Sequence, residues 1–277
     1  MDSTFPVGTF PTAIKHAVAM DLSDHLVTPG KKVSLDDWDT NAKGGWERDD
    51  AEQRTAELNE RLEELQELLY AEGKHKVLVV IQATDTGGKD GTIRSVMTGL
   101  NPAGIDVNPF GVPTDEERGH DFLWRIHLRT PGAGRIGVFN RSHYEDVLVV
   151  RVERLVPEER WRRRYGHIRA FEQLLHDEGT VVRKVMLNIS KDEQKRRLEA
   201  RLADPTKGYK FNPSDLETRA RWDDYMVNLR QNARGYPACG QNPAGKYGAV
   251  ICRGGFLVAV IGDGDLVGPA GLILVYP

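Results

Sequence analysis

At 277 residues, 39% hydrophobic and 29% charged, the chain suits one large α/β domain or two small ones, and its net charge of −3 excludes a uniformly basic, nucleic-acid-coating protein. Its two cysteines, Cys239 and Cys252, lack the spacing of a disulfide framework or a zinc site. Residues 1–30 lack the pattern of a signal peptide, and nothing before the tail approaches the ~20 apolar residues of a membrane span, so a cytoplasmic protein without a membrane partner is expected.

Residues 1–45, with Pro6, Pro11, Pro29 and Gly30 and little periodicity, read as an arm wrapped around the domain. A long helix is expected from Asp49 to Glu72, with Leu58, Leu62, Leu65, Leu68 and Leu69 as its core stripe and Gly73 as its stop. Val77 to Ile81 is an apolar, mostly β-branched run without polar alternation, the pattern of a strand buried on both faces. The turn Ala83-Thr84-Asp85-Thr86-Gly87-Gly88-Lys89-Asp90-Gly91-Thr92 follows, and Ile93, Val96, Met97 and Leu100 then recur at helical spacing.

Strand, glycine-rich turn with a lysine, then helix is the layout of a phosphate-binding loop: N–H groups at the helix start face the anion and the lysine adds a point charge. The match to G-x-x-x-x-G-K-[ST] is imperfect, because Ala83 stands at the first glycine and Asp90 at the hydroxyl position. Asp85 lies inside the cradle, where an acid repels phosphate unless it holds a metal such as Mg²⁺ or takes a proton. Its alternative reading is a turn aspartate.

A second strand is expected over Ile105 to Val112, one helix over Asp115 to Leu128, and a buried strand over Arg135 to Phe139. Asn140, Arg141, Ser142, His143, Tyr144 and Glu145 stand at the end of that strand, where ligands bind in doubly wound sheets, so they should face the loop. A helix from Trp161 to Leu175 and a strand from Val181 to Ile189 come next, and then a helix capped by Ser190, with Glu193 three residues on making a capping box. Lys207 to Phe211 forms a basic loop before a helix running from Pro213 to about Met226. Strands alternating with helices predict an α/β fold: a parallel sheet with helices on both faces. From Arg151 to Arg230, 19 Lys and Arg face 14 Asp and Glu, a local excess of +5 that suits solvated helix faces or a polyanion surface. Aromatics are not interleaved with the arginines, so a nucleic-acid partner is not expected.

The segments TDTGGKDGTIRSVM, HDFLWR, RIGVFNRSHYEDVLVVRV, NISKDEQKRRLEARLADPTKGYKF and PSDLETRARWDDYM, in this order, resemble the polyphosphate kinase 2 family over about Ser34 to Met226. The resemblance implies a P-loop kinase with a helical lid, over residues 46–226, that moves phosphate from inorganic polyphosphate to nucleotides with Mg²⁺. The form FNRSHYEDV resembles the branch acting on both AMP and ADP. By resemblance, Lys89 and the loop residues Gly87, Gly88, Gly91 and Thr92 hold phosphates, with Arg94 nearby. Asp85 binds Mg²⁺ or orients the acceptor, and Arg141 stabilises the transferring group within the second motif, which includes Asn140, Tyr144 and Glu145. Arg197, Arg201, Lys207 and Lys210 match the lid, at about residues 190–215. His120, His127 and His143 read as structural. A homo-oligomer is also implied. The alternatives are an ATP-dependent nucleotide kinase of the same fold and an inactive polyphosphate-binding protein.

Residues 227–277 depart from the family's pattern, with six Lys, Arg, Asp or Glu and ten glycines in 51 residues. A pair of compensating frameshifts explains such a break. The rival is a divergent tail with strands at Tyr247 to Cys252 and Phe256 to Ile261.

Overall fold

The computed structural model describes residues 39–40, 47–206, 214–235, 250–253, 257–260 and 273–276. Nearly all of the N-terminal arm and the basic loop with Lys207 and Lys210 lie outside them.

Helix α1 (Arg48–Glu72) buries Leu58, Leu62, Leu65 and Leu69 and leaves Leu68 exposed, so the expected stripe is one leucine narrower. It ends at Gly73 (φ 60°), whose N–H donates to the Leu69 carbonyl. Strand β1 (Lys76–Ala83) leads through the loop into α2 (Lys89–Met97). Then come β2 (Ile105–Pro109), shorter than expected, α3 (Asp115–Gly119), α4 (Trp124–His127), β3 (Ile136–Asn140) and α5 (Glu145–Val152). Helix α6 (Glu158–Asp177), β4 (Thr180–Asn188), α7 (Lys191–Ala203), α8 (Ser214–Ala220) and α9 (Trp222–Gly235) follow. The tail contributes β5 (Val250–Arg253), β6 (Leu257–Val260) and β7 (Ile273–Tyr276), the first two overlapping the segments read as strands.

The sheet runs β2-β3-β1-β4-β5 with every pair parallel. β6 and β7 form a separate antiparallel pair. Central β1 sends Val77, Val79 and Ile81 to one face, where α1 and α2 supply Leu62, Leu69, Ile93 and Val96. It sends Leu78 and Val80 to the other, against Val147 and Leu148 of α5 and Ile168, Phe171 and Leu175 of α6. Period-2 alternation along one strand thus feeds two cores, which is why its sequence shows no polar face.

Two expected helices are split and one expected cap is incomplete. Residues 115–128 form two short helices: His120 caps the first in extended backbone, and the Asp121 carboxylate then accepts the Leu123 N–H at 2.9 Å. The first of them carries a full capping box between Thr114 and Glu117. At α7 only half of the expected box forms. Ser190 accepts the Glu193 N–H at 3.1 Å, but the Glu193 carboxylate is taken by Arg196 and Arg197. The helix after Pro213 breaks at Arg221 and resumes to Gly235. α5 itself went unread, because EDVLVVRV fits a strand as well as a helix by periodicity.

Candidate active site

The loop between β1 and α2 sits at the C-terminal edge of the sheet, where β3 and β4 flank β1. Its backbone leaves the usual regions at Thr86 (φ 58°) and Gly88 (φ 101°). A Cβ on Gly87 would come within 2.5 Å of the Ala83 Cβ and 2.7 Å of the Thr84 carbonyl, so only glycine fits this turn. The closest contact is with Ala83 itself, the residue standing where the motif expects a further glycine. The hydroxyls of Thr84 and Thr86 are buried without a hydrogen-bond partner among the described residues. Thr92 is buried one turn into α2, and its N–H closes the turn on the Gly88 carbonyl at 2.9 Å. The first N–H groups of α2, from Lys89 through Gly91, precede the point where intrahelical acceptors become available.

Lys89 is buried, and its ammonium donates to the Ala83 and Thr84 carbonyls at 3.2 and 3.4 Å. Burial, and then the Arg141 guanidinium, push its pKa down; Glu145, Asp85 and Asp90 oppose them. Arg141 adopts φ 65° directly after β3, and its N–H donates to the Ile81 carbonyl of β1 at 3.2 Å. That left-handed turn swings the side chain across the strand ends to the Asp85 carboxylate, 3.0 Å away. Non-glycine residues in this region are uncommon and concentrate at functional sites. Glu145, on the first turn of α5, has its carboxyl pushed up by burial, with Arg141 and Lys89 pulling it down and Asp85 adding to the rise. The two cations and two carboxyls therefore occupy one electrostatic site. Asn140 donates to Asp90 at 2.8 Å, tying the second motif to the start of α2.

The residues expected in the lid divide. Arg197 reaches the loop, donating to the Thr86 carbonyl at 3.3 Å, and its Nη1 lies 3.0 Å from where a Cβ on Gly88 would be. Arg201 instead faces Asp215 on α8 at 3.7 Å. Arg94 is exposed, five residues along α2 from Lys89, and makes none of these contacts. Tyr144 does not face the loop. It packs in the opposite core and donates to Glu172 at 2.9 Å, while Lys184 bonds both the Tyr144 hydroxyl (3.2 Å) and Glu172 (3.0 Å). His143 joins the same buried cluster through Glu172 at 3.1 Å. His120 stacks on Trp124 and His127 meets Phe171 edge-on, in keeping with structural roles.

Two features escaped the sequence reading. Gln194 of α7 is buried and donates to the Asp85 carbonyl at 3.1 Å, while its own carbonyl accepts from Arg219. It couples α7 and α8 to the loop backbone, and an uncharged residue in a basic helix gives no signal for it. Glu153 at the end of α5 accepts from Arg221 (2.5 Å) and Tyr225 (3.1 Å), fastening the start of α9 to α5. Burial and then Glu153, with Asp85 and Glu145 further off, raise the Tyr225 pKa, which sets this clasp within the field of the site.

No group of three or more metal-ligating side chains occurs among the described residues. Asp85 and Glu145 are acids in the field of Lys89, and a hard divalent cation that takes its remaining ligands from phosphate oxygens and water asks the protein for no more than one or two carboxylates. No helix among the described residues is long and apolar enough to cross a membrane.

The polyphosphate kinase 2 sequence profile matches residues 28–233. The "AMP/ADP-polyphosphate phosphotransferase" of Meiothermus ruber is 53% identical over 207 residues, 74% of this chain and 78% of that one. The "ADP-polyphosphate phosphotransferase" of Rhodopseudomonas palustris is 46% identical over 213 residues, 72% of this chain and 74% of that one. The crystal structure of polyphosphate kinase 2 from Arthrobacter aurescens TC1 superposes with a TM-score of 0.73 at 40% identity, covering 82% of each chain. With the P-loop kinase-like α/β fold and this sequence match over most of its length, the chain belongs to the polyphosphate kinase 2 family.

Proposed function

We propose that the protein transfers phosphoryl groups from inorganic polyphosphate to AMP and ADP. The observation that carries this reading is the convergence of Lys89, Arg141, Asp85 and Glu145 over the N-terminus of α2. Phosphoryl transfer asks the protein for positioning and charge stabilisation and little covalent chemistry. Lys89 and the α2 N–H groups hold the phosphates, and Arg141, released from Asp85, stabilises charge on the transferring group. Asp85 and Glu145 are the residues to hold a divalent metal, Mg²⁺ in this reading, which neutralises phosphate charge when bound. Arg197 closes the lid side of the loop.

A coupled assay with purified protein, polyphosphate and Mg²⁺ tests this: AMP is expected to yield ADP, and ADP to yield ATP. Product formed only when ATP replaces polyphosphate as donor would assign the fold to an ordinary nucleotide kinase. Soluble, folded protein that binds polyphosphate without turnover would mark an inactive relative. Arg141→Lys keeps a positive charge and places no new demand on the backbone at φ 65°, but it loses the planar fork, so a fall in kcat of about a hundredfold is expected, with a smaller change in KM. A near-normal kcat in that variant would remove Arg141 from the reaction. For residues 227–277 compensating frameshifts remain our proposal, and resequencing that stretch decides it: an unbroken frame shared by near relatives rejects it.

A further inference from the structure

The turn from α5 to α6 carries basic chemistry that the phosphate loop does not use. An open groove of about 600 Å³ is lined there by Arg151, Arg154 and Arg162, with Leu155, Trp161 and Glu158 beside them. Trp161 is buried, and the guanidinium carbons of Arg151 and Arg162 lie 4.4 and 4.9 Å from its ring centroid. The ring is thus already engaged by two cations and offers a nucleobase little to stack on. Glu158, the acid lining the groove, is neutralised by Arg162 at 2.5 Å.

Arg154 is the informative residue. α5 closes in a Schellman motif: the Leu155 N–H donates to the Val150 carbonyl at 2.8 Å and the Arg154 N–H to the Arg151 carbonyl at 3.2 Å. Arg154 itself occupies the left-handed position, φ 52°, where glycine is normally found. A residue with a Cβ there costs about 1 kcal/mol relative to glycine. The Arg154 side chain is exposed and makes no hydrogen bond or ion pair among the described residues, so no local contact offsets that strain. A strained backbone that displays a guanidinium to solvent calls for a ligand.

We propose that this groove is an accessory docking site for the polyphosphate chain, separate from the phosphate loop, that retains a long donor between turnovers. Guanidinium groups bind successive phosphates by charge-assisted, forked hydrogen bonds, and a ring-free polyanion needs no stacking platform. The groove begins at the far end of α5 from Glu145, about 12 Å along the helix at 1.5 Å per residue. A long chain held there keeps its reactive end at high effective concentration near Lys89. The inference rests on polyphosphate being the donor.

Arg154→Gly tests it, because this change removes the charge while relieving the strain, so the fold is not at risk. The variant should melt at or above the temperature of the unaltered protein and keep its kcat at saturating donor. Its dissociation constant for long-chain polyphosphate should rise about tenfold, as expected for one charge-assisted contact. Arg154→Lys should retain most of the affinity, and Arg162→Gln should weaken binding independently. Unchanged affinity in Arg154→Gly overturns the proposal, as does displacement of polyphosphate from the unaltered protein by an equal phosphate concentration of polyuridylate. If long-chain binding depends on Arg154 yet polyphosphate drives no turnover, the groove stands and the donor assignment fails.

Discussion

Replacing Lys89 by methionine is expected to lower kcat by about three orders of magnitude while leaving the melting temperature unchanged or slightly raised. The ammonium is buried among backbone carbonyls, and both burial and the neighbouring Arg141 disfavour its charge. Such a group is held for a ligand and weakens the ligand-free fold, so removing it relieves desolvation while Met fills the space of the stem. Turnover with polyphosphate and ADP, read beside a thermal melt, separates the two effects. A loss of both activity and stability would make Lys89 a structural strut; a loss of less than about tenfold in kcat would move the phosphate site elsewhere.

The second large effect is one of stability, and it lies behind the site. Glu172 of α6 and Lys184 of β4 form a buried cluster with Tyr144 and His143 of the second motif. Burial pushes the Glu172 carboxyl up, but the Lys184 ammonium and the His143 hydrogen bond more than reverse this, to about 2. Lys184→Met leaves that buried carboxylate without its ammonium partner and should destabilise by about 3–5 kcal/mol. For a chain of this size that lowers the melting temperature by roughly 10 °C. Adding Glu172→Gln to Lys184→Met should restore most of the loss, since the charge is then gone.

The pH dependence gives a sign test. In the unaltered protein the Glu172 carboxyl sits below its ordinary value of 4.5, so its stabilisation is present above that pH and is lost as pH falls toward 2. In Lys184→Met the ammonium no longer opposes burial and only the His143 and Tyr144 contacts remain, so the folded value moves up and the stability lost on acidification should shrink or reverse as the carboxyl takes up a proton. Denaturant titrations between pH 7 and 4 that showed the same slope for both proteins would mean that the pair is not coupled.

Much of this architecture is legible along the chain, and the exceptions share a cause. β1 and its loop could be read because the strand is apolar on both faces and the glycines are demanded by local geometry at Gly87 and Gly88. Arg141 could be placed at the ligand-binding end of the sheet because it directly follows a buried strand, but its positive φ could not, since nothing in FNRSH marks a left-handed turn. Tyr144 was grouped with the loop residues because it shares their segment, yet it follows the chain into the opposite core and leaves Arg141 and Glu145 to the site. Lys184 stands in an apolar strand as a visible anomaly, but its partner Glu172 lies twelve residues away on a different element. Gln194 is the hardest case: its role is a single hydrogen bond to a backbone carbonyl 109 residues earlier. Side chains that serve the backbone of distant segments leave no periodic trace.

The order of the sheet also bears on how the chain comes together. β1 is synthesised first of the strands, yet its neighbours arrive far later, Val77 pairing with Ile136 on one side and Val181 on the other. Each closure spans a long loop whose entropy must be lost before any ladder bond forms, which places this topology among slow folders. Until β4 emerges, the Val77-Leu78-Val79-Val80-Ile81 segment keeps at least one unpaired edge in the nascent chain, the kind of surface that self-associates. Ribosome-stalled chains ending before residue 180 should therefore bind holdase chaperones strongly, and those extended well past β4 should let them go.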